Sequence, residues 1–337
     1  MEPNYPLKSL NTFGLEASAA QFIEVNSTED VVELAQQGKL KDEDTLILGG
    51  GSNILLCDDI DNLVVKNNIK YIQKTAQSET HITVKIGAGE VWHNLVLISL
   101  DNNWFGLENM SLIPGTVGAA PMQNIGAYGS EVKDVFESLE AVDRITGEIK
   151  TFNNKECQFG YRESVFKNQF KNQYFIVSVT LKLSLDPILN SSYGAINAVI
   201  EEKGIKNPDP KDISDAVIEI RQSKLPDPNK IGNSGSFFKN PEIPNEQFEE
   251  VKNKFTNIVG YPLENGKTKV PAGWLIENAG WKGFRNGDIG VHKNQALVLV
   301  NYGAGKGKDI YDLALKIKAS VFEKYGIEIN PEVNIIG

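Results

Sequence analysis

Residues 46–56 read LILGGGSNILL, an apolar run, a glycine turn and a second apolar run. A dinucleotide fingerprint of the Rossmann type needs its glycines to open a helix. Here Ile54-Leu55-Leu56 continues as a strand, so that reading fails. Gly49, Gly50, Gly51, Ser52 and Asn53 instead make a turn between two strands. In such a turn successive backbone N–H groups can point into one concavity and hold phosphate oxygens. On its own, the segment reads more plainly as an ordinary tight turn.

Outward from this turn the chain alternates short strands with helices. Residues 21–25 and 62–66 are expected strands, with a helix between them capped by Ser27, acidic in its first turn at Glu29 and Asp30, and ended by Gly38. HITVKIGAG, from His81, is an alternating strand ending in glycines, and 90–101 is an expected helix with Val91, Leu95 and Ile98 at helical spacing. Further strands are expected near 136–143, 147–152 and 174–184, then helices near 194–204 and 212–223. KNPDPKD and KLPDPNK punctuate this region and suggest a boundary near 225. A strand near 296–301 follows, then a helix over 309–325 with Ile310, Leu313, Ile317 and Val321 on one face and Gly326 after it, and a closing strand in EVNIIG. The fold class is α+β with several lobes and no internal repeat.

The chain has 337 residues, 41% hydrophobic and 23% charged, with a formal charge of −10. That composition excludes wholesale disorder, and the charge excludes a global field attracting nucleic acid. An anionic ligand must therefore be held by local amides and a few placed Lys or Arg. Two cysteines, Cys57 and Cys157, and three scattered histidines, His81, His93 and His292, make no metal-spaced cluster, so no metal is expected. No apolar window is long enough to span a membrane, and MEPNYPLKSLNTFGL lacks the pattern of a secretory signal. A reducing cytoplasm is the expected compartment.

Four further segments carry candidate chemistry. SLIPGTVGAAPMQNIGAYGSEV, 111–132, has no helical or strand period, and Gly115, Gly118, Gly126 and Gly129 alternate with small alanines. A loop this long inside a compact protein is usually functional, and small residues let a flat ligand approach the backbone. Ile113, Val117, Met122 and Ile125 argue for partial burial rather than a mobile surface loop. GYRESVFK, 160–167, sets Arg162 beside Tyr161; a surface ion pair competes with a guanidinium forking onto a carboxylate. GNSGSFFKNP, 232–241, holds Ser236 between Gly235 and two phenylalanines. No nucleophile elbow surrounds Ser236, yet a constrained hydroxyl can donate a proton to a carbanion. Glu332, in NPEVNIIG, is an acid in a terminal apolar strand and could simply face solvent.

Together and in this order, from NTFGL at 11–15 to PEVNIIG at 331–337, these segments resemble the UDP-N-acetylenolpyruvoylglucosamine reductase family, in its longer-looped subtype. The resemblance implies a vanillyl-alcohol-oxidase-type FAD fold of two α+β subdomains with a C-terminal α+β substrate domain. On this chain it implies residues 1–72 (completed by 327–337) and 73–225 for the flavin, and 226–326 for the substrate. It further implies that Gly49 to Asn53 cradle the FAD diphosphate and that Gly115, Thr116, Gly118, Ala119 and Gly126 line the flavin. Ser236 would donate the proton, while Arg162 and Glu332 would hold and polarise the substrate carboxylate. Tyr193, Lys224, Asn240 and Gln295 match substrate-contacting positions, although the loop around LDPILNSSYGAINAVIEE departs from the family pattern.

The implied reaction takes hydride from NADPH through FAD to UDP-N-acetylglucosamine enolpyruvate, giving UDP-N-acetylmuramate for peptidoglycan. Some flavoproteins of this fold attach FAD through His or Cys; the 111–132 stretch contains neither, so FAD is expected to be non-covalent. A monomer is expected, with no nucleic acid or membrane partner. Two alternatives stay open at this point: a related FAD oxidase or dehydrogenase with another substrate, and a non-catalytic binder of flavin or UDP-sugar.

Overall fold

The glycine turn joins two short strands that belong to different sheets. Leu46–Leu48 pairs in parallel with Val64, Val65 and Lys66, whereas Ile54–Leu56 pairs in parallel with Asn334–Ile336. No helix follows the glycines. The computed structural model describes residues 1–191 and 193–337. Two compact units result, one of residues 1–5, 19–50 and 61–223, the other of 6–18, 51–60 and 224–337.

In the first unit, strands Glu2–Pro6, Ser18–Val25, Ile60–Asn67 and Leu46–Leu48 form a sheet in that order. Helix Thr28–Gln36 begins at a capping box: the Asp30 N–H donates to Ser27 Oγ at 3.1 Å, and the Ser27 N–H donates to Asp30 Oδ2 at 3.0 Å. Such a cap stabilises by about 1 kcal/mol. Its buried face, Val31, Leu34 and Ala35, joins Val25 and Val65 of this sheet and Val142, Phe175 and Val177 of a second sheet in one core cluster.

That second sheet is antiparallel, in the order Ile149–Asn153, Phe136–Asp143, Tyr174–Ser184, His81–Gly87 and Ile72–Gln77. Leu139, Val179 and Leu181 from it meet Trp92 and Leu95 of helix Trp92–Asp101 in a second core cluster. The buried face of this helix is Trp92, Leu95, Val96 and Ser99, while Val91 and Ile98 are 41% and 37% exposed. The face expected from Val91, Leu95 and Ile98 is thus corrected. Trp92, whose indole N–H donates to the Met110 carbonyl at 3.1 Å, sets the rotation of the helix. The strand Ile72–Gln77 has no counterpart among the expected elements, because five of its six residues are exposed and polarity there does not alternate.

The 111–132 stretch contains two 3-10 turns, Val117–Ala119 and Pro121–Gln123, and a small hairpin of Gly126–Ala127 with Ser130–Glu131. Val117 is fully buried, and Ile113, Met122 and Ile125 pack against the same core. Helices Gly194–Glu202 and Pro210–Lys224 close this unit around Ile196, Ile200, Ile213, Val217 and Ile220.

The second unit holds an antiparallel sheet of Gly232–Asn233, Leu299–Asn301, Ile289–Val291 and Arg285–Asn286, in that order. Helix Gly307–Tyr325 buries Ile310, Leu313, Ile317 and Val321, and Gly326 ends it at φ +66° with its N–H on the Phe322 carbonyl. Both cysteines are free thiols. Among the described residues no helix is long and apolar enough to cross a membrane, and no group of three His, Cys, Asp or Glu could hold a metal ion.

Candidate functional site

In the first unit the glycine turn lies against Gly115 and Thr116. A Cβ at Gly50 would stand 2.9 Å from Gly115 Cα, and one at Gly49 would stand 2.6 Å from Thr116 Oγ1. Two backbones therefore approach as closely as they can, which only glycine permits. Among the described residues, none of the N–H groups of Gly49, Gly50, Gly51 and Ser52 donates a hydrogen bond within the chain. Unpaired amides with no side chain in front of them fit an anionic oxygen ligand such as a diphosphate. Gly118 lies on Ala88: its N–H donates to the Ala88 carbonyl at 2.9 Å, and a Cβ there would meet Ala88 Cβ at 2.4 Å. Ala119 is exposed and Gly126 buried in the same loop.

Arg162 is tied to that loop. Its guanidinium donates to the carbonyl of Gly126 at 2.7 Å and of Asn124 at 3.5 Å, and lies 5.5 Å from the Tyr161 ring centre. Its backbone is left-handed, at φ +56°, which costs on the order of 1 kcal/mol or more for a residue with a side chain. A second guanidinium, Arg221 from helix Pro210–Lys224, donates to the Leu112 carbonyl at 3.3 Å and lies close enough to the Tyr128 hydroxyl to act on its charge. Burial lowers the Arg221 pKa, and the nearby Arg162 charge lowers it further. Two cations drawn together in an acidic protein form a place that an anion would stabilise. The Tyr128 hydroxyl is pushed up by burial, and its ring meets that of Tyr193 edge-on, with centroids 5.1 Å apart. Tyr193 itself is 49% exposed.

In the second unit Ser236 and Glu332 come from chain segments that pair as strands do. The Glu332 N–H donates to the Phe237 carbonyl at 2.8 Å, and Phe238 bridges to Pro331. Phe237 and Phe238 are buried at 0% and 1% exposure, and the Phe237 N–H donates to the Leu297 carbonyl at 2.8 Å. Ser236 is exposed at the head of this pinned segment. Asn53 joins the group: its side chain donates to the Glu332 carbonyl at 3.3 Å, and its carbonyl accepts from the Asn334 N–H at 3.0 Å. Asn240 Oδ1 accepts the Ala272 N–H at 2.9 Å at the start of helix Ala272–Asn278. Gln295 Oε1 accepts the Leu297 N–H at 3.3 Å. Lys224 is exposed where the chain enters this unit.

The structure thus gathers Gly49, Gly50, Gly115, Thr116, Gly118, Ala119, Gly126, Arg162 and Tyr193 in one unit. It gathers Gly51, Ser52, Asn53, Lys224, Ser236, Asn240, Gln295 and Glu332 in the other. Reading the sequence misses Tyr128, Arg221 and Lys66, whose ammonium donates to the Gly49 carbonyl. An arginine near a helix C-terminus is commonplace, so nothing in RQSKLP flags Arg221. Tyr128 lies inside the quoted glycine-rich stretch, and its left-handed φ of +50° is visible only in the structure.

Residues 19–153 match the FAD binding domain family, and residues 227–336 match the C-terminal domain of UDP-N-acetylenolpyruvoylglucosamine reductase. The chain is 52% identical over 337 residues to the UDP-N-acetylenolpyruvoylglucosamine reductase of Flavobacterium johnsoniae, spanning 100% of this chain and 99% of that protein. It is 49% identical over 336 residues to the protein of the same name from Amoebophilus asiaticus, again spanning 100% and 99%. The crystal structure of UDP-N-acetylenolpyruvylglucosamine reductase from Thermus caldophilus superposes with a TM-score of 0.68 over 99% of this chain and 98% of that one. At 22% identity that likeness speaks to fold. The α+β fold and the matched domains define an FAD-dependent oxidoreductase. The chain belongs to the UDP-N-acetylenolpyruvoylglucosamine reductase family.

Proposed function

We propose that this chain reduces the enolpyruvyl group of UDP-N-acetylglucosamine enolpyruvate, with NADPH as electron source, to give UDP-N-acetylmuramate for peptidoglycan. The observation that carries the proposal is the pairing of the Ser236 segment with Glu332, which puts a hydroxyl and a carboxyl on adjacent chain segments. FAD, held without a covalent bond, supplies the hydride chemistry. Everything else falls to the chain's own side chains and amides.

The unpaired amides at Gly49 to Ser52 are assigned to the diphosphate of FAD, and Gly115, Thr116, Gly118, Ala119 and Gly126 to the flavin ring. Arg162, preset by its bonds to Gly126 and Asn124, and Glu332 are assigned to the substrate carboxylate. Hydride addition to the enolpyruvyl double bond leaves the neighbouring carbon carbanionic, stabilised as an enol-like form by that carboxylate. Charge preorganised there is worth roughly 3–4 kcal/mol per donor. The Ser236 hydroxyl then donates the proton, completing net addition of two hydrogens, and solvent reprotonates the serine. Tyr193, Lys224, Asn240 and Gln295 are assigned to the nucleotide sugar. Residues 1–72 with 327–337, and 73–225, are assigned to FAD, and 226–326 to the substrate. The functional unit is assigned as a cytoplasmic monomer.

Anaerobic titration tests this reading. NADPH should bleach the flavin absorption near roughly 450 nm, and the enolpyruvyl sugar nucleotide should restore it. A flavin that stays bleached with this substrate but recolours with another would replace it by a different oxidoreductase of the same fold.

A further inference from the structure

Lys66 is the basic side chain that the proposed reaction leaves unused and that lies at the glycine turn. It sits in strand Ile60–Asn67, directly across from Leu48 in the parallel register, and is half-buried. Its ammonium donates to the Gly49 carbonyl, the last acceptor before the exposed Gly50. The described residues have no cis peptide bonds, so the Gly49 carbonyl and the Gly50 N–H lie in one trans plane and point opposite ways. A cation that draws the carbonyl to one side therefore turns the Gly50 N–H to the other. Among the described residues that N–H has no acceptor. The ammonium also brings a positive charge beneath the turn in a protein whose formal charge is −10.

We propose that Lys66 is a positioning residue for the cofactor: it locks the Gly49–Gly50 peptide with its N–H outward and supplies the positive potential that holds the FAD diphosphate. The proposal rests on the assignment of that diphosphate to the 49–53 turn. An ammonium kept in partial burial without a carboxylate bonded to it is costly, and the carbonyl alone returns little of that cost. Burial accordingly lowers the Lys66 pKa, with Glu24 acting in the opposite direction and Lys70 in the same one. A bound diphosphate would offset this penalty directly. Among the described residues no salt bridge engages Lys66.

The test is the dissociation constant of FAD from the apoprotein, read by flavin fluorescence at low and high salt, for wild type, Lys66→Met, Lys66→Gln, Lys66→Arg and Gly50→Ala. Lys66→Met should weaken FAD by roughly tenfold or more and flatten the salt dependence. Lys66→Gln, which keeps a donor without the charge, should fall between, and Lys66→Arg should restore most of the affinity. Should the methionine variant not fold, the glutamine and arginine pair decides by the same salt criterion. Wild-type affinity and salt slope in Lys66→Met and Lys66→Gln, with Gly50→Ala weakened, would overturn the role of Lys66 and leave the turn as the diphosphate site. Unchanged affinity in Gly50→Ala as well would remove the turn itself. A weaker Lys66→Met whose salt slope matches wild type would reduce Lys66 to a structural residue.

Discussion

The glycine turn at 49–53 and the GNSGSFFKNP segment at 232–241 are both short, glycine-flanked and assigned to the site, yet they are built on opposite principles. At the turn, the proposed role rests on what is missing: no Cβ stands at Gly49 or Gly50, and among the described residues their amide hydrogens have no partners. At 232–241, the proposed role rests on what is pinned: two buried phenylalanines and backbone bonds to Leu297 and Glu332 leave one hydroxyl exposed. The first arrangement suits a ligand that brings its own charge and needs donors. The second suits a proton that must be delivered to one atom.

The largest effect expected from this contrast is at Ser236. Ser236→Ala should cut turnover of the enolpyruvyl substrate by roughly a hundredfold to ten-thousandfold. Flavin reduction by NADPH and the melting temperature should not change, because the segment is held by Phe237 and Phe238 rather than by the hydroxyl. Stopped-flow absorption separates the two half-reactions, and an unaffected oxidative half would take Ser236 out of the mechanism.

Next comes the cofactor side, where adding an atom should matter more than removing one. Gly118→Ala places a methyl 2.4 Å from Ala88 Cβ, on a helical turn bonded to the Ala88 carbonyl. Overpacking of this kind typically costs about 1–3 kcal/mol. A lower urea midpoint together with weaker FAD binding is expected, and a variant equal to wild type in both would show that the loop yields freely.

The smallest effect is electrostatic. The His93 Nδ1 accepts the Leu112 N–H at 3.0 Å, and burial together with Arg221 lowers its pKa. Burial and Lys293 lower that of His292. In the folded chain these rings stay neutral at pH values where the unfolded chain binds protons. Their contribution to stability is therefore complete above the unfolded value near 6.5 and is lost as pH falls below it towards the lowered folded values. Urea midpoints measured at successive pH steps below 6.5 should decline less in His93→Gln than in wild type, and equal slopes would discount His93.

Parts of this protein were plain in the residues themselves. The turn at 46–56 was legible because a Rossmann fingerprint needs its glycines to open a helix, and Ile54-Leu55-Leu56 continues as a strand. Helix Gly307–Tyr325 was legible because its apolar residues recur at helical spacing and a glycine stops it. The edge strand Ile72–Gln77 was not, since an exposed edge needs no apolar alternation and is defined only by its pairing with His81–Gly87. The face of helix Trp92–Asp101 was misjudged because packing around one large indole outweighed local spacing.

The same division runs through the candidate site. Local chemistry is a property of sequence: consecutive glycines in a turn, a serine next to two phenylalanines and an arginine beside a tyrosine can be read from neighbours in the chain. Partnership across the chain is not. Glu332 meets the Ser236 segment across 95 residues, Lys66 reaches Gly49 from a parallel strand, and Arg221 reaches the Leu112 carbonyl from a helix far along the chain. Those contacts depend on sheet register and helix rotation, which are set by burial of the core as a whole. The sequence by itself determined which atoms were available for the chemistry; only the tertiary structure decided which of them meet.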